Sequence, residues 1–237
     1  MEEAFQTQDF RDQQRRQLER ARLLTNSVEN APQYNYLQTP LAKYEEKLFD
    51  GRPIMSLIEE AYQRHPDEAV AILDYGCGHN AALRELVGNN TTGIPIQAAG
   101  MSAGDPRTEE ERLNDTEKRI TFIDQETVAF SLPDESYDII VSKMTFGHLI
   151  NPLQVMKKLY RALRPEGELF IELRQTSDLA KRFFPNEDES FEPEKMIIDD
   201  LVASGIDIKT DGEKFVIRKN SDRYPKNCTL SSTLLAV

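Results

Sequence analysis

Apolar residues in this chain change their spacing along its length. From Gln13 to Leu24 the chain is rich in Arg, Gln, Leu and Glu, good helix formers that show no strand alternation. Ala31-Pro32-Gln33-Tyr34-Asn35-Tyr36 breaks that pattern. A second helix is expected over Pro40 to Phe49. A third is expected over Ile54 to Arg64, where Ile54, Leu57, Ile58 and Ala61 fall at helical spacing. Residues 1–66 therefore predict an N-terminal helical extension that packs on the core, closes over a site as a lid, or does both.

After residue 66 the period shortens. Ala69 to Asp74 is a short, nearly continuous apolar run, as in a strand buried on both faces. A helix follows over Ala81 to Val87, a strand over Ile94 to Ala99, a short helix over Thr108 to Asp115 and a strand over Ile120 to Ile123. Tyr137 to Ser142 is rich in β-branched residues and predicts strand four. Pro152 to Leu163 predicts a helix and Gly167 to Leu173 strand five. Alternating strands and helices imply parallel strands joined by right-handed crossovers. Further on, Lys195 to Ser204 predicts a helix stopped by Gly205. Ile206 to Thr210 and Lys214 to Arg218 flank Asp211-Gly212-Glu213, the signal of a hairpin. The expected fold is α/β: a doubly wound, mostly parallel seven-stranded sheet with an antiparallel final hairpin and an N-terminal helical extension. Residues 67–220 form the main domain and residues 221–237 a C-terminal tail.

Composition narrows the partners. The chain has 237 residues, which suits one α/β domain with an extension, and 39% of them are apolar. The formal net charge of −12 disfavours nucleic acid as a partner, since neutralising phosphates needs clustered Lys and Arg. The Arg-rich stretch from Arg11 to Arg22 is interleaved with Asp12 and Glu19 and reads as a solvated helix face. Two distant cysteines, Cys77 and Cys228, predict no disulfide scaffold, so a cytoplasmic setting is expected. No secretory signal is visible, and no window approaches the length of a membrane span, so no membrane partner is expected. His65, His79 and His148 have no metal-ligand spacing, and no metal site is expected.

The chemistry concentrates where strand one ends. Asp74-Tyr75-Gly76-Cys77-Gly78-His79-Asn80 leads from an apolar strand directly into a helix. Glycines there let the main chain bend sharply and approach a ligand. In an open parallel sheet, ligands bind beyond the carboxyl ends of the strands, where strand order reverses. A carboxylate at that point favours a cationic ligand.

The segment resembles motif I of the class I S-adenosylmethionine-dependent methyltransferases, whose signature is an acid, any residue, Gly, any residue, Gly. Two further segments are similar to that family: Leu132 to Ser142, entering strand four, and Leu159-Tyr160-Arg161-Ala162-Leu163-Arg164-Pro165-Glu166-Gly167-Glu168-Leu169, preceding strand five. The resemblance covers about residues 69–175, with a tail to about residue 219. Asn80 stands where a third glycine is common, and Glu166 where the first glycine of a Gly-Gly pair is usual.

The resemblance implies a Rossmann-like methyltransferase fold and S-adenosyl-L-methionine as cofactor. Asp74, Gly76, Cys77 and Gly78 would hold its methionine and ribose part, with Asp74 at the amino group. Met101 and Ser102 stand where the family places an acid for the ribose hydroxyls; Asp105 follows a few residues later. Asp124, Gln125 and Glu126 would lie near the adenine. Ser142, Lys143 and Met144 would line the cofactor after strand four, and His148 is the candidate general base, because imidazole titrates near neutrality. Methyl transfer from a sulfonium asks chiefly for alignment and exclusion of water, so the acceptor is not legible in these motifs. Two functions are expected to compete: an active methyltransferase acting on a small molecule, or a methyltransferase-like binding or regulatory protein without activity. A NAD(P)-dependent enzyme would want Gly-x-Gly-x-x-Gly, with Ala81 at the third glycine, and the Pro165 to Gly167 run argues against it.

Overall fold

The computed structural model describes residues 38–102, 105–124, 132–143, 145, 152–172, 202, 206–210 and 214–219. Helix α1 spans Leu41–Leu48, α2 Ile54–Arg64, α3 Ala81–Gly88, α4 Glu109–Glu117 and α5 Pro152–Ala162. The strands are β1 Val70–Tyr75, β2 Ile96–Ser102, β3 Thr121–Asp124, β4 Tyr137–Ser142, β5 Leu163–Glu172, β6 Asp207–Thr210 and β7 Lys214–Arg218. They form one seven-stranded sheet in the order β3-β2-β1-β4-β5-β7-β6. Strands β1 to β5 pair in parallel, and β7 runs antiparallel to both β5 and β6. The doubly wound architecture and its antiparallel end are thus the ones the sequence predicts. Residues 1–37, 220–237 and the expected helix over Lys195 to Ser204, Val202 apart, lie outside the described residues.

Both central strands, β1 and β4, are buried at every position. Alternation explains how one apolar run serves two cores. Val70 and Ile72 face a layer built by α1, α2 and α3, with Leu48, Leu57, Ile58, Leu83 and Leu86. Ala71, Leu73 and Tyr75 face the opposite layer, with Met156 and Leu159 of α5 and Phe215 and Ile217 of β7. Helices α1 and α2 are therefore continuous with the sheet's own core. Among the described residues, no helix is long and apolar enough to cross a membrane.

The strand boundaries depart most from expectation at β2 and β5. Strand β2 begins at Ile96 rather than Ile94, because Pro95 has no N–H to give a ladder; its carbonyl instead accepts from Val70 N at 2.9 Å. Strand β5 begins at Leu163, where Leu163 pairs with Tyr137 before the register shifts. Within that irregular stretch Glu166 sits at φ 63°, in the left-handed region. The departure from the usual glycine at this position thus carries a backbone cost. Glu166→Gly is expected to raise the free energy of unfolding by about 0.5 kcal/mol: left-handed strain of about 1–2 kcal/mol is relieved, and part of that is returned as glycine's greater unfolded-state entropy. The side chain's 3.8 Å pairing with Arg218 is half-exposed and offsets little. The midpoint of urea denaturation checks this; an unchanged or lower midpoint would contradict it.

Candidate functional site

Strand order reverses between β1 and β4, so the crevice opens beyond their carboxyl ends. Asp74, the penultimate residue of β1, pairs with Gly100 of β2 on one side and Val141 of β4 on the other. The turn that follows bends tightly, with Gly76 at φ 88° and Gly78 at φ 53°. The main-chain N–H groups of Gly76 and Cys77 donate to the Met101 carbonyl at 2.7 and 3.1 Å, tying the turn to the end of β2. A Cβ on Gly76 would run into the Thr145 side chain. Asn80 ends the turn at φ 62°, and asparagine is the residue that best tolerates this region after glycine. That is why Asn80 can replace the third glycine common in the motif.

Asp74 is 1% exposed. Its Oδ2 accepts a 2.8 Å hydrogen bond from the Tyr44 hydroxyl, while its Oδ1 is buried without a partner. Burial pushes the Asp74 carboxyl up to about 7, against the opposing pull of the Tyr44 hydrogen bond and the Lys143 charge. Burial and the neighbouring Asp74 carboxylate push the Tyr44 phenol well above its ordinary value, so it remains a donor. Lys143 Nζ lies 3.1 Å from Glu172 Oε2; the Glu172 side chain is buried and that of Lys143 nearly so. Asp74, Tyr44, Lys143 and Glu172 thus bring together the ends of β1, β4 and β5 and the buried face of α1.

The other flank is already neutralised. Arg107 binds both Asp105 oxygens, at 2.8 and 2.9 Å, and reaches Asp115 at 2.7 Å; its guanidinium stacks 3.9 Å above the Phe122 ring. Arg112 adds a contact to Asp105 at 3.1 Å. The Arg107 hydrogen bond holds the Asp105 carboxyl below its ordinary range. His79 pairs with Glu111 at 2.8 Å, Arg84 bridges Glu111 and Asp115, and Asn80 Nδ2 donates to Asp115 at 2.9 Å. This network locks the turn to α4, whose start is fixed by a capping box between Thr108 and Glu111.

The structure gathers most of the described sequence-predicted residues around the turn. Asp74, Gly76, Cys77 and Gly78 form it. Met101 is fully buried, so its side chain belongs to the core and only its main chain serves the turn. Ser102 pairs with Asp124 where β2 and β3 end. Ser142 is fully buried and its hydroxyl donates to the Tyr75 carbonyl at 2.9 Å, clamping β4 to the end of β1. Lys143 faces Glu172. Gln125, Glu126, Met144 and His148 lie outside the described residues. Tyr44 and Glu172 lie beside the candidate site and were not singled out from the sequence; Thr145 falls in the segment after strand four that the resemblance places against the cofactor.

Residues 73–171 match the family model of the methyltransferase domain. The chain is 29% identical over 113 residues to a malonyl-[acyl-carrier protein] O-methyltransferase of Priestia megaterium, the match covering 48% of this chain and 40% of that protein. It is 33% identical over 116 residues to the protein of the same name from a Paenibacillus species, covering 44% of this chain and 42% of that one. The chain thus matches about two fifths of the length of these curated relatives. Among solved structures, a SAM-dependent methyltransferase from Aquifex aeolicus aligns with a TM-score of 0.43 at 20% identity, covering 77% of this chain and 94% of that one.

Proposed function

We propose that residues 73–171, which match the methyltransferase-domain family model, act as a class I S-adenosylmethionine-dependent methyltransferase domain: the chain binds S-adenosylmethionine at the Asp74 to Gly78 turn and transfers its methyl group to a small acceptor, free or attached to a carrier. One observation carries the reading. A fully buried carboxylate leaves Oδ1 without a partner beside a glycine turn, which is the socket an ammonium group needs.

The residues present fit the cofactor. When bound, S-adenosylmethionine supplies an electrophilic methyl group on a sulfonium. Asp74 would hold the amino group in its ionised form, and the bend at Gly76 and Gly78 would let the main chain come close. Lys143 and Glu172 neutralise each other nearby, which keeps the crevice polar without excess charge. The acidic chain, with its net charge of −12, disfavours nucleic acid as acceptor. The similarity to two malonyl-[acyl-carrier protein] O-methyltransferases supports a carrier-bound acyl acceptor. Two cysteines far apart in sequence favour a cytoplasmic setting.

A second reading, a methyltransferase-like binding or regulatory protein, draws on the β2 end. Met101 and Ser102 offer no acid there, and Asp105 is taken by Arg107 and Arg112. Isothermal calorimetry with S-adenosylmethionine and S-adenosylhomocysteine separates the readings. Micromolar binding that disappears in Asp74→Ala supports cofactor use, and methyl transfer to a carrier-bound malonyl group would add the acceptor class. Flat heats at millimolar ligand would overturn the cofactor reading.

A further inference from the structure

We propose that Tyr44, reaching in from α1, is a positioning residue for the cofactor's amino group: its phenol holds Oδ2 of Asp74 and leaves Oδ1 as the acceptor for the ammonium. The inference rests on the cofactor reading above and extends it to a residue outside the matched domain.

Helix α1 is built to present this side chain. Its buried positions are Tyr44 and Leu48, four residues apart and so on one face. Glu85 of α3 accepts from the Leu41 N–H at 2.8 Å and fixes the start of the helix. Just past its end, Phe49 meets Phe170 of β5 edge-on, with ring centroids 4.9 Å apart, and Asp50 pairs with Lys214 of β7. A phenylalanine would fill the same apolar volume. A buried hydroxyl costs free energy unless it is used, and here it is spent on Asp74. Among the described residues, Tyr44 is the only hydrogen-bond donor to the Asp74 carboxylate.

The groups facing Asp74 come from each element packed against it: Tyr44 from α1, Lys143 after β4, Cys77 in its own turn, and Glu172 at the end of β5 beyond Tyr44. Lys143 is shared with Glu172, so the phenol is the partner dedicated to Asp74. With the Asp74 carboxyl near 7, cofactor affinity should fall as pH drops below neutrality, because the carboxyl must release its proton to bind the ammonium. Removing the hydroxyl leaves both oxygens unpartnered and disfavours the ionised form further.

The test is calorimetric titration of the full chain with S-adenosylhomocysteine, which keeps the amino group, across the neutral range. In Tyr44→Phe the midpoint of affinity against pH should rise by about one pH unit. Affinity at pH 7 should fall about fivefold and recover on the alkaline side. Glu85→Gln, which loosens the start of α1 without touching Asp74, should leave the midpoint where it is. An unmoved midpoint in Tyr44→Phe, or tighter binding, would overturn the inference while leaving the cofactor reading intact. A midpoint moved equally by Glu85→Gln would assign the effect to helix placement and overturn it too. Absence of binding by the wild-type chain would overturn both.

Discussion

Gly76→Val is expected to abolish S-adenosylmethionine binding and to lower the free energy of unfolding by about 3 kcal/mol. Two physical terms combine. Gly76 sits at φ 88°, where a β-branched side chain is strained by about 1–2 kcal/mol. Its Cβ would also occupy space held by the Thr145 side chain, whose Cβ lies 2.6 Å from the ideal position. Thr145 is fixed by a 3.2 Å hydrogen bond to the Lys143 carbonyl, so it yields only by moving the segment after β4. Adding Thr145→Ala removes the hydroxyl and methyl but leaves Cβ and the backbone strain. The double variant should therefore recover part of the stability and none of the binding. Urea denaturation and calorimetry read the two losses separately. A stable Gly76→Val protein that still binds would show that the turn is not a cofactor cradle.

Asp74→Asn is expected to weaken cofactor binding by about ten- to a hundredfold while making the protein relatively more stable at alkaline pH. Burial raises the Asp74 carboxyl from 3.8 to about 7 in the folded chain. The folded state therefore keeps a proton that the unfolded state gives up. Stability from this group is fully present at acid pH and is lost as pH climbs from about 4 to about 7. A rise of this size is worth about 4 kcal/mol, and asparagine has no such titration. The stability difference, variant minus wild type, should thus swing by about 4 kcal/mol in the variant's favour between those limits. Thermal or urea unfolding of both proteins across the range checks it. A constant difference would mean that the acid is ionised throughout. A residue whose burial costs stability as pH rises, and whose loss costs ligand affinity, is held for binding rather than for folding.

The sheet was legible because its strands are buried on both faces. Val70 to Tyr75 and Tyr137 to Ser142 are short apolar runs with no helical period, and Gly76 and Gly78 punctuate the first of them. Asp74 and the turn were legible for the same reason: an acid and two glycines at the end of a buried strand have few structural uses. Tyr44 was not. It lies in a mostly polar helix, where a tyrosine reads as packing, and its partner is thirty residues away in sequence. Glu172 gave no signal because a carboxylate at a strand end is ordinarily solvated, and its pairing with Lys143 depends on β4 lying beside β5. Asp105 lies just beyond the β2 end, and what the sequence did not show is that Arg107, two residues on, folds back onto it and Arg112 completes the clasp. The departures at Asn80 and Glu166 were visible in the sequence, and their reason, a left-handed backbone at each, required the structure.

A crystal structure of the chain with S-adenosylhomocysteine bound tests the central claim most directly. The ligand's ammonium nitrogen should lie within hydrogen-bonding distance of Asp74 Oδ1, with the Tyr44 hydroxyl still on Oδ2 and the ligand against the main chain of Gly76. A ligand seated elsewhere, with Asp74 Oδ1 still without a partner and Thr145 still against Gly76, would contradict it.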